Sequence, residues 1–378
     1  MTKTEPKDGI YFDLPEGEYH ALERMSASHM KNMLISAPTF WAESWLNKDR
    51  KHNDDDTPAR ILGRAYHCAM LEGDQLHKRF IGKPDFDAMD GVLQTDAAVC
   101  RELKDRGETQ KMKDELSLDR AHRLVGCGYE GKIRSILEAD FEKEAGDRQV
   151  ISEPYWSDLL RDCERLKRNP AIFELVDGGA SEVTILWTCP ETKISMKARI
   201  DKLKADKFVD LKSFANAMRK ETRQVLREAV QYNKYYLSMR HYQTAVEMIA
   251  RLNLPIQKVS ADSDKELVAK LKARKLPLEP WFLFQEKGGV PNMLARRLRF
   301  HTFPRGVEMQ DIGAEDHEIK SHRSILAHKA DMEIDHAKKQ FLDGMLLYGT
   351  DQVWFGFDQL GEIGDEDFSE YFLESKPA

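Results

Sequence analysis

Residues 182–212 read EVTILWTCPETKISMKARIDKLKADKFVDLK. Three runs within it, Glu182–Thr188, Ile194–Leu203 and Lys207–Lys212, are short, β-branched and alternating, with Pro190 and Asp206 near the turns. That texture predicts three strands in a meander. If 197–204 and 207–212 pair as a hairpin turning at Ala205-Asp206, the register sets Asp201 opposite Asp210. Directly opposed partners have Cβ atoms about 4.5–5.5 Å apart on one face. Lys212, two residues beyond Asp210, points to the same side, and Leu203 and Phe208 face each other beneath as a floor. Ala-Asp is not a favoured two-residue turn, so a looser tip is expected.

Two carboxylates held this close repel, and one takes up a proton unless a cation sits between them. A hard divalent ion with oxygen ligands is the natural occupant; Mg²⁺ binds one or two carboxylates together with phosphate oxygens and water, and Mn²⁺ is expected to substitute. The neighbouring lysine can then help activate a water or stabilise charge growing on phosphate. A D-x-K on a strand is a common accident in a chain with 58 Lys+Arg and 65 Asp+Glu, so two further elements matter. One is Gly63-Arg64-Ala65-Tyr66-His67 on a helix predicted over Pro58–Leu71, where the neutral imidazole is a competent ligand and Gly63 would allow close backbone packing. The other is Gln231-x-x-x-Tyr235, where a spacing of four puts the amide and the phenol on one helix face, placed to orient the lysine or hold a nucleic-acid backbone.

Around these motifs the chain reads as α/β. Its 378 residues are 41% hydrophobic, enough for a substantial core. Residues 1–18 read as a flexible lead-in, 19–310 as one domain with a helical insertion at 83–150, and 311–378 as a C-terminal helix and acidic tail. Helical patterns cover Tyr19–Leu46, with Ser26 and Ser28 as candidate caps, then 153–176, 221–251 and 308–345. Trp281–Gln285 and Leu294–Phe300 read as two more strands joined across Gly288-Gly289-Val290-Pro291. No run approaches the roughly 18 apolar residues of a membrane span and no signal peptide is visible, so a cytoplasmic protein without a membrane partner is expected. The five cysteines lack any C-x-x-C pair, which argues against a disulfide framework, a zinc ribbon or an iron–sulfur cluster. A net charge of −7 argues against a protein that coats DNA nonspecifically, while leaving room for basic residues gathered in one groove.

Two tempting patterns do not carry a site. Asp316-His317-Glu318…His322 has its second histidine one residue too far for H-E-x-x-H, and with His328 and His336 it reads as a solvated helix face. Gly288-Gly289 lacks the lysine and hydroxyl of a P-loop.

The order Gly63-Arg64-Ala65-Tyr66-His67, Asp201…Asp210-Leu211-Lys212, Gln231-x-x-x-Tyr235 resembles the RecB-like branch of the PD-(D/E)XK nucleases. More closely it resembles the C-terminal nuclease domain of RecE-type exonucleases and their phage relatives. Tyr19-His20…Ser26-Ala27-Ser28…Met33, Ala69-Met70-Leu71-Glu72, Ser181-Glu182-Val183…Trp187…Lys197-Ala198-Arg199-Ile200-Asp201 and Phe282…Gln285-Glu286-Lys287…Pro291 agree. The likeness spans roughly residues 15–310.

The resemblance implies a restriction-endonuclease-like core, with a central mixed sheet flanked by helices. It implies His67, Asp201 and Asp210 as metal ligands with the Leu211 carbonyl as a fourth, Lys212 as the catalytic lysine, and Gln231 and Tyr235 supporting the site and the DNA strand. Glu182 stands where relatives often carry an acid beyond the ligands, and Arg64 and Arg199 flank the ligands as candidates for gripping phosphate. It further implies double-stranded DNA ends as substrate, degraded 5′ to 3′ to leave 3′ single strands for phage recombination, a single-strand annealing protein as partner, and a ring-shaped homo-oligomer whose basic bore could coexist with an acidic exterior. A catalytically silent DNA-binding or assembly module and a structure-selective endonuclease are the alternatives.

Overall fold

In a computed structural model, residues 5–50, 57–286, 292–302 and 322–356 are described. The meander is the middle of a seven-stranded mixed sheet. Its strands are β1 (Gly9–Tyr11), β2 (Ala180–Thr188), β3 (Ser195–Leu203), β4 (Lys207–Phe214), β5 (Ile256–Lys258), β6 (Glu279–Glu286) and β7 (Met293–Arg297). Their spatial order is β7-β6-β4-β3-β2-β1-β5. The β2–β3–β4 meander and the β6–β7 pair are antiparallel, whereas β4 pairs β6 and β1 pairs β5 in parallel.

Helices cover both faces, so the inner strands bury side chains on each side and read as nearly continuous apolar runs. Phe208, Phe282 and Phe284 turn toward one core, with Met30, Phe40, Leu237 and Trp354. Val209, Leu211 and Leu283 turn to the other, with Ala65, Cys68, Leu159 and Leu175. The helix over the second face runs Pro58–Leu71, as its pattern predicts, with the Thr57 hydroxyl accepting from the Arg60 N–H and proline at the first turn.

Several boundaries differ from the sequence reading. Within the supposed lead-in, Gly9–Tyr11 is an inner strand between β2 and β5, and Ile10 is fully buried. Three residues are too few for alternation to show, and both pairing partners lie far along the chain. Ser26, not Ser28, caps the helix Ala27–Ile35. The run 153–176 is two helices, Tyr155–Lys167 and Pro170–Val176, because Asn169 caps a new helix that Pro170 opens. The long pattern 221–251 breaks as well, into Thr222–Tyr232 and Tyr235–Arg251, with Lys234 between them in the left-handed region (φ 47°). The insertion does contain helices, Asp96–Asp105, Ser117–Gly126 and Arg134–Ala145, around a small core of Val99, Leu103, Ala121, Leu124 and Ile133. Its base is closed by a parallel pairing of Phe80–Lys83 with Gln149–Ser152.

The C-terminal helix starts only at Ile325, since His322–Arg323 is a short strand paired with His301–Thr302. It is no appendage: Ala327, Ala330, Ile334 and Phe341 enter the main core beside Trp354. Residues 303–321, with His317 and Glu318, the 288–291 turn and the acidic tail from Gly361 lie outside the described residues. Among the described residues, no helix is long and apolar enough to cross a membrane. All five cysteines are free.

A candidate metal centre at a strand fork

β3 and β4 share only two register pairs, Lys202↔Val209 and Leu203↔Phe208, with the tip closed by a Lys204 N–H to Lys207 carbonyl bond of 2.9 Å. Continued by one step, that register sets Asp201 against Asp210, as the hairpin reading expects. There the strands part. β3 stays with β2, while β4 follows β6, with Asp210 beside Phe282 and Lys212 beside Phe284. The fork leaves backbone groups that no ladder satisfies, and side chains fill it.

The Asp201 carboxylate accepts the Leu211 N–H across the fork at 2.7 Å. His67 descends from its helix with Nε2 3.0 Å from the Leu211 carbonyl and Nδ1 3.7 Å from Asp201 Oδ2. When Nε2 donates to that carbonyl, the bare Nδ1 lone pair faces a carboxylate. Glu182 completes the group: one ligand atom from each of His67, Glu182 and Asp201 lies within 4.8 Å of the others. Its backbone has a positive φ of 54°, rare for a side chain of this size, where β2 runs opposite Asp201. Burial, and then the Asp210 charge, push the Asp201 carboxyl up to about 7, against the opposing pull of His67 and Lys212.

Asp210 is 1% exposed and ion-paired to Lys212 at 2.7 Å; apart from that contact neither of its oxygens has a hydrogen-bond partner. It lies outside the compact group of three. Burial disfavours the Lys212 ammonium, but Asp210 and Asp201 outweigh it, and its pKa rises above the ordinary lysine value. Its Nζ is 3.3 Å from the Leu211 carbonyl and 5.6 Å from the centre of the Tyr235 ring. A second amine, Lys31 from the helix Ala27–Ile35, lies 5.2 Å from the same ring. Burial and the repulsion of Lys212 lower it to about 8. Nothing in its sequence surroundings marks Lys31, because only the fold brings that helix beside the D-x-K strand.

A cleft of about 930 Å³ opens over the fork, lined by His67, Glu182, Asp201, Lys212, Tyr235 and Arg64 among others. Gly63 also lines it, and a Cβ there would meet nothing within 4 Å. Gly63 therefore serves no close backbone packing. Arg64 donates to Gln149 Oε1 at 3.1 Å. Arg199 lies in the cleft wall, paired with Glu182 at 2.5 Å, donating to the Leu14 carbonyl at 2.8 Å and set against the Tyr19 ring. It is committed to holding Glu182 and the N-terminal segment. Gln231 and Tyr235 do not share a helix face, because the left-handed Lys234 separates them. Tyr235 reaches the cleft, whereas Gln231 is exposed and lines a different hollow.

The donor set suits a hard divalent cation: buried carboxylate oxygens without partners, an acid held partly protonated beside another, a carbonyl at the fork and an imidazole facing a carboxylate. Sequence comparison places residues 26–267 within a family described as a PDDEXK-like domain of unknown function (DUF3799). No curated protein matches the chain significantly. A crystal structure of a candidate exonuclease from Eubacterium rectale aligns over 96% of this chain and 98% of its own, at 11% identity and a TM-score of 0.44. That similarity is too low to transfer an activity. The matched span covers well over half the sequence and holds every residue of the fork, so the chain belongs to the PDDEXK-like family DUF3799.

Proposed function

We propose that this protein is a Mg²⁺-dependent DNA exonuclease of RecE type, cutting phosphodiester bonds at the β3–β4 fork. One observation carries the reading: His67, Asp201, Leu211 and Lys212 line one cleft at the fork, with the buried Asp210 ion-paired to Lys212. Asp201, Asp210 and the Leu211 carbonyl are the oxygen donors for the ion and His67 the nitrogen donor, with Glu182 near enough to join them. Bound there, a divalent ion supplies Lewis acidity toward phosphate and lowers the pKa of water. Lys212, ion-paired to Asp210 and lining the cleft, is placed to stabilise charge growing on the phosphate or to help activate a water. Tyr235 walls the ammonium and restricts where it can point. Arg64 lines the cleft, held by its bond to Gln149, and would meet a neighbouring phosphate there.

Attack on double-stranded ends from the 5′ side, a recombination setting, an annealing partner and a ring-shaped assembly rest on the motif resemblance. The test is digestion of linear, nicked and closed circular DNA with Mg²⁺ or with chelator. The proposal expects degradation of the linear form only, dependent on the ion and absent in Asp210→Ala and Lys212→Ala. Cutting of the closed circle would make the protein an endonuclease. Intact DNA in every lane, or digestion undiminished in both variants, would remove the assignment.

A further inference from the structure

Gln231, left out of the cleft, lines a separate groove of about 600 Å³ across the helix break. Its floor is apolar, made by Leu226, Val230, Phe282, Phe284, Leu298 and Leu326. Its rim is cationic: Arg223, Arg227, Arg296 and Lys329 are all exposed, and no carboxylate lines the groove among the described residues. In a chain of net charge −7, a hollow lined by five cations and, among the described residues, no acid is a selective feature, even with Lys329 paired to Glu333 at 3.0 Å and Arg297 to Glu279 at 2.8 Å. Arg223 and Arg227 are one helical turn apart on the same face, and Arg296 faces the groove from β7.

The groove adjoins the fork across the sheet, although the two hollows share no lining residue. Its floor residues Phe282 and Phe284 are the β6 register partners of Asp210 and Lys212, and the Phe282 ring lies 6.1 Å from that of Tyr235. Tyr235 is thus the partition between the two hollows, with Lys212 on its cleft side. An apolar floor under a cationic rim takes unstacked bases inward and phosphates outward, which is how single-stranded nucleic acid is held. A volume typical of a small-ligand site leaves room for a few unpaired nucleotides and not for a duplex.

We propose that this groove is a second nucleic-acid site, holding a few unpaired nucleotides beside the phosphate that is cut at the fork. The inference rests on the nuclease reading for its purpose, yet binding can be measured without cleavage.

The experiment uses the full chain in chelator and a fluorescent oligothymidylate, titrated across salt concentrations, with hydrolysis of a small chromogenic phosphodiester in Mg²⁺ as a separate readout. Two variants carry opposite charge on different elements, Arg223→Glu/Arg227→Glu on the helix and Arg296→Glu on β7, so a local folding defect in one cannot imitate the result in the other. Each single-strand phosphate contact contributes a salt exponent of about 0.7, or about fivefold in affinity at 0.1 M. The double variant should therefore bind roughly 25-fold more weakly with a salt slope smaller by about 1.4, and Arg296→Glu about fivefold more weakly. Hydrolysis of the small diester should be unchanged in both. Unaltered affinity and salt slope in both variants would overturn the proposal. So would a wild type that ignores the oligonucleotide but binds a synthetic peptide of residues 357–378, whose acids and aromatics could also fill a groove of this kind. A wild type that binds through these arginines yet hydrolyses neither diester nor DNA would support the groove while ending the nuclease reading.

Discussion

Asp201→Asn should make the protein more stable and inactive at once. Without a cation, the half-buried Asp201 carboxylate stands beside Asp210, and its folded pKa is near 7 against about 3.9 when unfolded. A folded pKa above the unfolded one contributes stability that is fully present below pH ~4 and is lost as pH rises through ~7. Three pH units at about 1.36 kcal/mol each give at most roughly 4 kcal/mol of destabilisation above pH 7. Asparagine carries no charge, and its side-chain oxygen can still accept the Leu211 N–H, so most of that destabilisation should vanish. For 378 residues the unfolding entropy corresponds to roughly 0.8 kcal/mol per degree, so the expected gain is about 2–5 °C in Tm.

The assay is thermal unfolding of wild type and variant in chelator at pH 5 and pH 8, then in Mg²⁺. At pH 5 the variant should lead by only about a third of its margin at pH 8, roughly 1.5 against 4 kcal/mol. Mg²⁺ should raise the wild-type Tm and close the gap, because a ligand that binds only the folded state stabilises it. A variant no more stable than wild type at pH 8, or one that gains as much from Mg²⁺ as wild type does, would refute the claim that this acid is held in strain for a cation.

Other expectations follow from the same contacts. Lys212→Met leaves Asp210 buried without its ion pair and should cost roughly 3–5 kcal/mol by thermal or urea unfolding, with Asp210→Asn/Lys212→Met recovering much of the loss but none of the activity. Tyr235→Ala, which removes the ring beside the Lys212 ammonium, should slow hydrolysis of a small chromogenic diester, whereas Gln231→Ala should leave it untouched, because only Tyr235 lines the cleft; equal losses would mean that Gln231 does reach the fork. His241 is buried, its Nε2 donating to the Lys197 carbonyl at 2.9 Å, and burial holds its pKa down to about 4 although that hydrogen bond pulls upward. Its folded pKa lies below the unfolded value, so stability present above pH ~6.5 is lost as pH falls toward 4, about 2 kcal/mol between pH 7 and pH 5; in urea unfolding, His241→Gln should show a correspondingly smaller acid loss.

The parts of this site legible in the sequence are those whose geometry is local. Asp201 and Asp210 sit on one hairpin, and the period of two with the Ala205-Asp206 tip is enough to oppose them. The helix that carries His67 begins at Thr57-Pro58, a cap and a first-turn proline that can be read directly. What escaped is set by contacts between distant segments. β1 is three residues long, and only its pairing with β2 and β5 makes it a strand. Lys31 comes near the site solely because the helix Ala27–Ile35 lands beside Tyr235.

Gln231 and Tyr235 show the harder case, in which a local rule applies and still misleads. A spacing of four places two side chains together only if every intervening residue keeps helical angles. Lys234 does not, and neither glycine nor asparagine stands there to announce the left-handed turn. A non-glycine residue in that conformation costs on the order of 1–3 kcal/mol and persists where its surroundings over-determine it. Here they do: the Lys234 ammonium pairs with Glu333 at 3.2 Å, and the hydroxyl of Tyr236 reaches the same carboxylate at 2.8 Å. Glu333 belongs to the C-terminal helix, so a segment about a hundred residues further on holds the break open. By turning Tyr235 to the cleft and Gln231 to the cationic groove, that contact ties the C-terminal helix to the division between two surfaces. Glu333→Gln should weaken this tie and report, through both diester hydrolysis and oligonucleotide affinity, whether the break is what keeps the two hollows apart.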